Sequence, residues 1–283
     1  MSLLVQDIIQ MGEKQLIEAG IDNPRGDAEE IYCNLMHVDR AKFFMEWSEP
    51  AADRTCEQFF DMIARRAKHE PLQYIVGIQG FLNLAIKVQP GVLIPRLDTE
   101  IVANTACEVY KQKKGDTVLA IGCGSGAIAI TMAKEVRAKV TAVVINPLAC
   151  ELTKENASHN GVKVDVLCGD MFEPVKKKKY HMIISNPPYI RSDEIAGLMP
   201  EVRDFEPVEA LDGGPDGLLY YRRIAEGAPE HFKKGGTLIL EIGDDQAEDV
   251  AAILEDTGVF SDIQVGKDMT GKDRAIVASY TGK

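Results

Sequence analysis

The 283 residues suffice for one large or two medium-sized domains, and 45% hydrophobic with 27% charged residues is ordinary for a globular chain with a sizeable core. A formal net charge of -12 repels phosphate backbones, so direct nucleic-acid binding is not expected. The six cysteines form no Cys-x-x-Cys pair and no apolar stretch reaches membrane-spanning length, so we predict a reduced, cytoplasmic protein with no metal site and no membrane contact.

The N-terminal quarter of the chain shows helical periodicity. Apolar residues recur at helical spacing from Leu4 to Met11, and further helical segments are predicted over residues 28–38 and 56–68. We therefore predict a small helical domain over residues 1–72.

A change of pattern follows this helical region. Short apolar runs alternate with Gly and Pro, as in a β-hairpin, and predict a connector over residues 73–95. Beyond it, Asp98, Thr99 and Glu100 supply a capping side chain and acidic residues at the head of a helix predicted from about residue 101 to 112.

The third region, residues 96–283, alternates strand and helix signals. Buried strands separated by helices indicate an α/β fold with a doubly wound, mainly parallel sheet, and the last two strands indicate an antiparallel hairpin. The predicted strands cover residues 117–121, 139–145, 164–168, 181–185, 237–242, 262–265 and 274–280.

A glycine cluster follows the first of these strands and opens a helix. It consists of Gly122, Cys123, Gly124, Ser125 and Gly126, at the position where doubly wound proteins bind nucleotide-like ligands. Its spacing differs from the dinucleotide fingerprint and from the Walker loop. All five residues are candidates for cofactor binding, and close packing of helix on strand is the alternative explanation.

A second candidate site follows the third strand of this region. Asp170 can accept a hydrogen bond from an adenine amine, and Met171 can pack on the ring. A plain turn is the alternative.

The tetrapeptide Asn186, Pro187, Pro188 and Tyr189 ends the fourth strand. The Asn186 side-chain oxygen and the Pro187 carbonyl can each accept a hydrogen bond from one N–H of a planar NH2 group, while Tyr189 packs on the flat face of that group. The sequence therefore predicts a site that holds a glutamine amide or a base amine for alkylation. Such dipeptides also punctuate ordinary turns, so the tetrapeptide alone leaves both interpretations open.

The order of these three features resembles class I S-adenosylmethionine-dependent methyltransferases that act on amino nitrogen. Further motifs narrow the resemblance to the HemK/PrmC family of release factor glutamine N5-methyltransferases. These motifs lie at residues 70–77, 90–100 and 206–217, and the resemblance covers almost the whole chain.

The resemblance implies a seven-stranded sheet, S-adenosylmethionine as cofactor, and methylation of the glutamine in the Gly-Gly-Gln motif of a class I peptide chain release factor. Residues 122–126 would border the methionine end of the cofactor, and residues 169–171 its adenine. Residues 186–189 would hold the glutamine amide, with Asn186 also next to the cofactor. The helical front domain would help to dock the protein substrate.

The chain departs from the family pattern at two acidic positions. Ala120 replaces the acid before the glycine cluster, and Val144 replaces the acid that binds the ribose hydroxyls. Loss of a charged acceptor costs about 1.5 to 3 kcal/mol, or roughly tenfold to a hundredfold in affinity. Asn146 is a candidate substitute.

Two alternatives to a release factor glutamine methyltransferase stay open at this point. One is a catalytically weakened paralogue that docks a translation factor. The other is a DNA adenine methyltransferase, which the acidic charge disfavours.

Overall fold

The computed structural model describes residues 3–113 and 115–282, so the ends of the predicted domains at residues 1, 2 and 283 lie outside the described residues. The chain forms two compact units. The smaller comprises Met1–Ile78 together with Met199–Phe205, and the larger comprises Gln79–Leu198 together with Glu206–Lys283. No helix in the described part of the chain is both long and apolar enough to cross a membrane.

The smaller unit is helical. Phe43 and Phe59 are fully buried in its core, because the helices direct one apolar face inward. The buried Arg66 side chain donates to Asp27 at 2.7 Å and to Glu201 at 3.2 Å, which ties the 199–205 segment into this unit. The helices are α1 (Val5–Glu18), α2 (Pro24–Met36), α3 (Arg40–Met45), α4 (Asp53–Arg66) and α5 (Leu72–Val76).

The predicted hairpin is shorter than expected. Residues 73–76 belong to helix α5 and not to the hairpin. Gly77 caps the C-terminal end of this helix in the left-handed backbone conformation, with a φ of 77°. The hairpin itself consists of β1 (Ile78–Phe81) and β2 (Leu84–Lys87).

The larger unit contains the seven-stranded sheet. Its strands are β3 (Thr117–Ile121), β4 (Lys139–Val144), β5 (Val164–Cys168), β6 (Tyr180–Ser185), β7 (Phe232–Glu241), β8 (Phe260–Lys267) and β9 (Asp273–Tyr280). In spatial order they are β5, β4, β3, β6, β7, β9 and β8. The pairs β7–β9 and β9–β8 are antiparallel, and the other neighbours in this sheet are parallel. The predicted fold class and the final hairpin are confirmed.

Helices flank this sheet, and one begins earlier than predicted. Helix α6 starts at Leu97 rather than at residue 101, and no side chain caps it. Asp98, Thr99 and Glu100 all lie inside the helix, so the expected capping side chain in this run is wrong. Thr99 is buried. The α-helices of the larger unit are α6 (Leu97–Gln112), α7 (Ala127–Glu135), α8 (Pro147–His159), α10 (Leu219–Gly227) and α11 (Ala247–Asp256). Helix α9 (Pro200–Arg203) lies in the segment that belongs to the smaller unit.

The strand order determines where a ligand can bind. Strands β4 and β5 follow β3 on one side, whereas β6 and β7 lie on the other, so the winding reverses between β3 and β6. Ile121 pairs with Val143 and with Ser185, which brings the carboxyl ends of β3, β4 and β6 to one edge. Ligands of doubly wound sheets bind at such a reversal.

Candidate active site

A pocket of about 200 Å³ lies at this carboxyl edge of the sheet. It brings together residues from the ends of β3, β5 and β6. Those predicted from the sequence are Gly122, Gly124, Asp170, Met171, Asn186, Pro187 and Pro188. A smaller adjoining cavity is lined by Cys123 and Ser125 together with Gly122, Gly124 and Asn186. Gly126 and Tyr189 line neither space.

The glycine loop owes its sequence to backbone geometry. Gly122 and Gly124 have φ values of 64° and 54°, a region that favours glycine. A Cβ at Gly124 would meet nothing within 4 Å, so this glycine borders open space. A Cβ at Gly126 would lie 2.8 Å from Thr153 Cγ2, so the third glycine permits close packing on α8.

The residues predicted to hold adenine, Asp170 and Met171, line the same pocket. Met171 is buried, and Asp170 accepts a 2.6 Å hydrogen bond from Arg223 Nη2. Arg223 and Tyr220, both on α10, line the same pocket. These two residues were not predicted, because no local sequence pattern shows which face of α10 meets the pocket.

The Asn186 carboxamide is oriented by a residue of α6. Its Nδ2 donates to Thr99 Oγ1 at 3.1 Å. Because the nitrogen is engaged in this way, the side-chain oxygen is the atom available as an acceptor in the pocket.

Tyr189 does not line the pocket. Its ring packs against the core beneath the sheet edge, and its hydroxyl donates to Glu241 Oε1 at 3.4 Å. Burial raises the pKa of Tyr189, and the neighbouring Glu241 carboxyl adds to the effect. Stacking of Tyr189 on a substrate amide stays a prediction.

Glu241 ends β7 and was not singled out from the sequence. It is fully buried, and Oε2 makes no well-formed hydrogen bond among the described residues. Burial raises the pKa of Glu241 to about 7, while interactions with Thr99 and Arg274 partly oppose the shift. A charged residue at the end of an apolar strand was a signal that could have revealed it.

A glycine-rich loop, residues 213–217, packs against the backbone of the tetrapeptide. A Cβ at Gly213 would lie 2.7 Å from Tyr189 Cα, and one at Gly217 would lie 2.5 Å from the Tyr189 carbonyl oxygen. The buried Gln246 donates to that same carbonyl at 3.0 Å, and Ile190 N–H donates to the Leu211 carbonyl. The loop therefore fixes the backbone of the tetrapeptide.

This contact makes Gly213 sensitive to substitution. We expect Gly213→Ala to lower the activity of this site at least tenfold, because the new methyl group displaces Tyr189 and because overpacking costs about 1 to 3 kcal/mol. Gly197→Ala is the matched control, since a Cβ there meets nothing within 4 Å. Initial rates and thermal unfolding of both variants check the expectation, which equal rates would refute.

The connector is tied to the loop after the tetrapeptide by one carboxylate. Glu206 is buried and accepts from Ile94 N–H at 3.1 Å and from Arg96 Nη2 at 2.6 Å. Burial raises the pKa of Glu206, and Arg96 opposes that shift. Two of the motifs that carry the family resemblance are thus in direct contact.

The structure bears on the two missing acids. Ala120 and Val144 are both buried, and Val144 lines the pocket. Asn146 also lines the pocket. Its Oδ1 accepts from Leu148 N–H at 2.9 Å and its Nδ2 donates to the Gly91 carbonyl at 3.1 Å, and its role as a substitute stays a prediction. The glycine loop leaves open space for the predicted cofactor at Gly124, whereas the position predicted to bind its ribose offers no carboxylate.

The fold resembles solved methyltransferases. A methyltransferase from Pyrococcus furiosus has a TM-score of 0.53 at 20% identity, over 71% of this chain and 91% of its own. A 16S rRNA N2 G1207 methyltransferase from T. Thermophilus, solved with AdoMet and guanosine, has a TM-score of 0.52 at 16% identity, over 72% of this chain and 49% of its own. These likenesses show that the chain shares the fold of these proteins.

Sequence relatives identify the family. Family models described as the PrmC N-terminal domain and the methyltransferase small domain match residues 7–77 and 92–199. A release factor glutamine methyltransferase of Geobacter sulfurreducens is 38% identical over 273 residues, which cover 96% of this chain and 95% of the relative. The chain belongs to the release factor glutamine methyltransferase family, which confirms the resemblance found in the sequence.

Proposed function

We propose that this protein transfers a methyl group from S-adenosylmethionine to the side-chain N5 of the glutamine in the Gly-Gly-Gln motif of a class I peptide chain release factor. The observation that carries the proposal is the orientation of Asn186, whose Nδ2 is bound to Thr99 so that Oδ1 can accept from a substrate amide. Family membership names the substrate class. We place the reaction in the cytoplasm, where translation takes place.

The residues proposed to hold the cofactor are the glycine loop, residues 122–126, together with Asp170, Met171 and Asn186. When bound, S-adenosylmethionine supplies a methyl group on a positively charged sulfur, and a fold neighbour was solved with this molecule. Gly122 and Gly124 leave room for close approach to the backbone, and Met171 offers an apolar face. Asp170 would accept from the adenine amine with its carboxylate already paired to Arg223.

The residues proposed for catalysis act by positioning. An amide nitrogen is a poor nucleophile because its lone pair is delocalised, so alignment with the methyl group is the main task of the site. Asn186 Oδ1 and the Pro187 carbonyl would each accept a hydrogen bond from one N–H of the substrate amide. These bonds would stabilise the positive charge that develops on the nitrogen. The proton is then released to water. Pro188 would hold the backbone of the tetrapeptide in place, and Tyr189 would pack on the flat face of the substrate amide.

The helical unit is proposed to dock the release factor while the larger unit performs the transfer. Family models match the two parts of the chain separately, which supports this division. Cross-links from a bound release factor should map to the helical unit, and their absence there would contradict the division of roles.

The proposed reaction is tested by labelling. The protein is incubated with methyl-labelled S-adenosylmethionine and a purified release factor, and peptide mass spectrometry then locates the methyl group. We expect the label on the Gly-Gly-Gln glutamine, and none when that glutamine is replaced by alanine. Labelling of DNA but not of the release factor would overturn the proposal.

A weakened paralogue that only docks a translation factor is the second candidate. It is favoured by the apolar Val144 at the ribose position and by the engagement of both polar atoms of Asn146. Calorimetric titration separates the two candidates, because micromolar binding of S-adenosylmethionine supports the enzyme and no binding supports docking alone.

A further inference from the structure

An arginine of α10 is paired with the aspartate that is proposed to bind adenine. Arg223 Nη2 donates to Asp170 Oδ2 at 2.6 Å, and both side chains line the pocket. In the part of the chain that the structure describes, this carboxylate accepts no other side-chain or backbone hydrogen bond. Asp170 Oδ1 is therefore the oxygen left to accept from a ligand.

Close packing of α10 on the turn after β5 fixes the position from which Arg223 reaches Asp170. Arg223 and Gly227 lie one helical turn apart, on the same face of α10. A Cβ at Gly227 would lie 2.6 Å from the Phe172 ring, so the helix and the turn are in direct contact. The Phe172 ring also stacks on the His231 ring, with centroids 4.8 Å apart. The backbone on both sides of the ion pair is thus held by packing.

An aromatic ring restricts the guanidinium as well. Arg223 Cζ lies 5.8 Å from the centroid of the Tyr220 ring, which is within the range of a cation–π contact. The Tyr220 ring packs against the core beside the sheet and lines the pocket. The guanidinium therefore contacts both a ring and a carboxylate, and these two contacts limit the directions in which it can donate.

We propose that Arg223 is a positioning residue that makes the pocket selective for a purine with an exocyclic amine, because it holds the Asp170 carboxylate with Oδ1 as the acceptor. The role rests on the proposed function for the identity of the ligand, whose base is adenine. Arg223 acts through the carboxylate and not directly on the base.

The selectivity follows from the one group that distinguishes adenine from hypoxanthine, its deaminated form. Adenine presents an NH2 group, which the carboxylate oxygen can accept from. Hypoxanthine presents a carbonyl oxygen there, which the carboxylate repels and which leaves the acceptor of the site unpaired. A carboxylate held by Arg223 cannot turn away from that carbonyl, whereas an unpaired carboxylate can. Loss of Arg223 should therefore weaken binding of the adenine ligand and relax the discrimination.

Base selectivity can be measured without turnover. The probes are S-adenosylhomocysteine and its deaminated analogue S-inosylhomocysteine, and calorimetric titration, by competition for the weaker ligand, gives both Kd values. We expect the wild type to prefer the adenosyl ligand by about a hundredfold and Arg223→Met to lower this preference to about tenfold. Arg223→Lys keeps the charge and should retain most of the preference.

Arg222→Met is the matched control. Arg222 also lies on α10, and its Nη2 donates to Asp216 Oδ2 at the same distance of 2.6 Å, but neither residue lines the pocket. Its two Kd values should equal those of the wild type. A variant that is merely less stable weakens both ligands alike, so the ratio of the Kd values separates selectivity from stability.

A double-mutant cycle tests whether Arg223 acts through Asp170. In Asp170→Asn the carboxamide can accept from the amine or donate to the carbonyl, so the two Kd values should lie within a few-fold of each other. Adding Arg223→Met to that variant should then change neither value. An unchanged ratio in Arg223→Met alone, or an equal effect of this substitution with and without the Asp170 carboxylate, would overturn the proposed role.

The outcomes for the ligand and for the reaction can be told apart. If the Kd ratios behave as expected but the wild type labels no release factor, the proposed function fails and the role of Arg223 stands. If the wild type methylates the release factor but binds both ligands equally well, the role of Arg223 fails and the proposed function stands. A wild type that does not bind S-adenosylhomocysteine at all would overturn both.

Discussion

Replacement of Asn186 by alanine should reduce methyl transfer by on the order of a hundredfold to a thousandfold, the range seen when one preorganised hydrogen-bonding group is removed from an active site. Asn186 is half-buried and makes one side-chain hydrogen bond, to Thr99. The free energy of unfolding should therefore fall by only about 1 kcal/mol. Single-turnover rates and chemical denaturation measure the two effects.

The matched control for this variant is Asn83→Ala, which truncates an exposed asparagine in the turn between β1 and β2. Its rate and stability should equal those of the wild type. Turnover by Asn186→Ala within a few-fold of the wild type would show that the amide substrate is held elsewhere.

Restoring an acid at the ribose position should have the second large effect. We expect Val144→Asp to lower the Kd for S-adenosylhomocysteine by roughly tenfold to a hundredfold, because a charged hydrogen bond to the ribose contributes about 1.5 to 3 kcal/mol. Val144 lines the pocket, so the new carboxylate would face the ligand. Isothermal titration calorimetry measures the change directly.

Val144→Asn controls for shape in this experiment. The amide has nearly the same size as the carboxylate but no charge, so its gain in affinity should be several-fold smaller. Thermal unfolding without ligand reports any cost of placing a carboxylate at this buried position. Equal affinity of the wild type and Val144→Asp would indicate that other groups bind the ribose.

The sheet was predictable from the sequence because its central strands are buried on both faces. Residues 118–121 are all apolar and almost fully buried, which leaves a continuous apolar run as the signal. Helix α5 was missed because its five residues are too few for a helical repeat to be recognised. The start of α6 was missed because no side-chain cap marks it.

The candidate site was predictable only in part, for a related reason. Asn186 follows β6 directly and Asp170 lies two residues after β5, and the carboxyl ends of parallel strands share one edge. The contact between Thr99 and Asn186 joins residues 87 positions apart and depends on which face α6 turns toward the sheet. Periodicity contains no information about such long-range contacts.

The loop behind the tetrapeptide has a consequence for protein engineering. Gly213 and Gly217 leave room for the Tyr189 backbone that no other residue would leave, and Gln246 binds its carbonyl. Grafting Asn-Pro-Pro-Tyr alone onto the strand end of another α/β scaffold would transfer the side chains without this support. A portable amide-binding site has to include the glycine loop and the strand end that carries Glu241 as well.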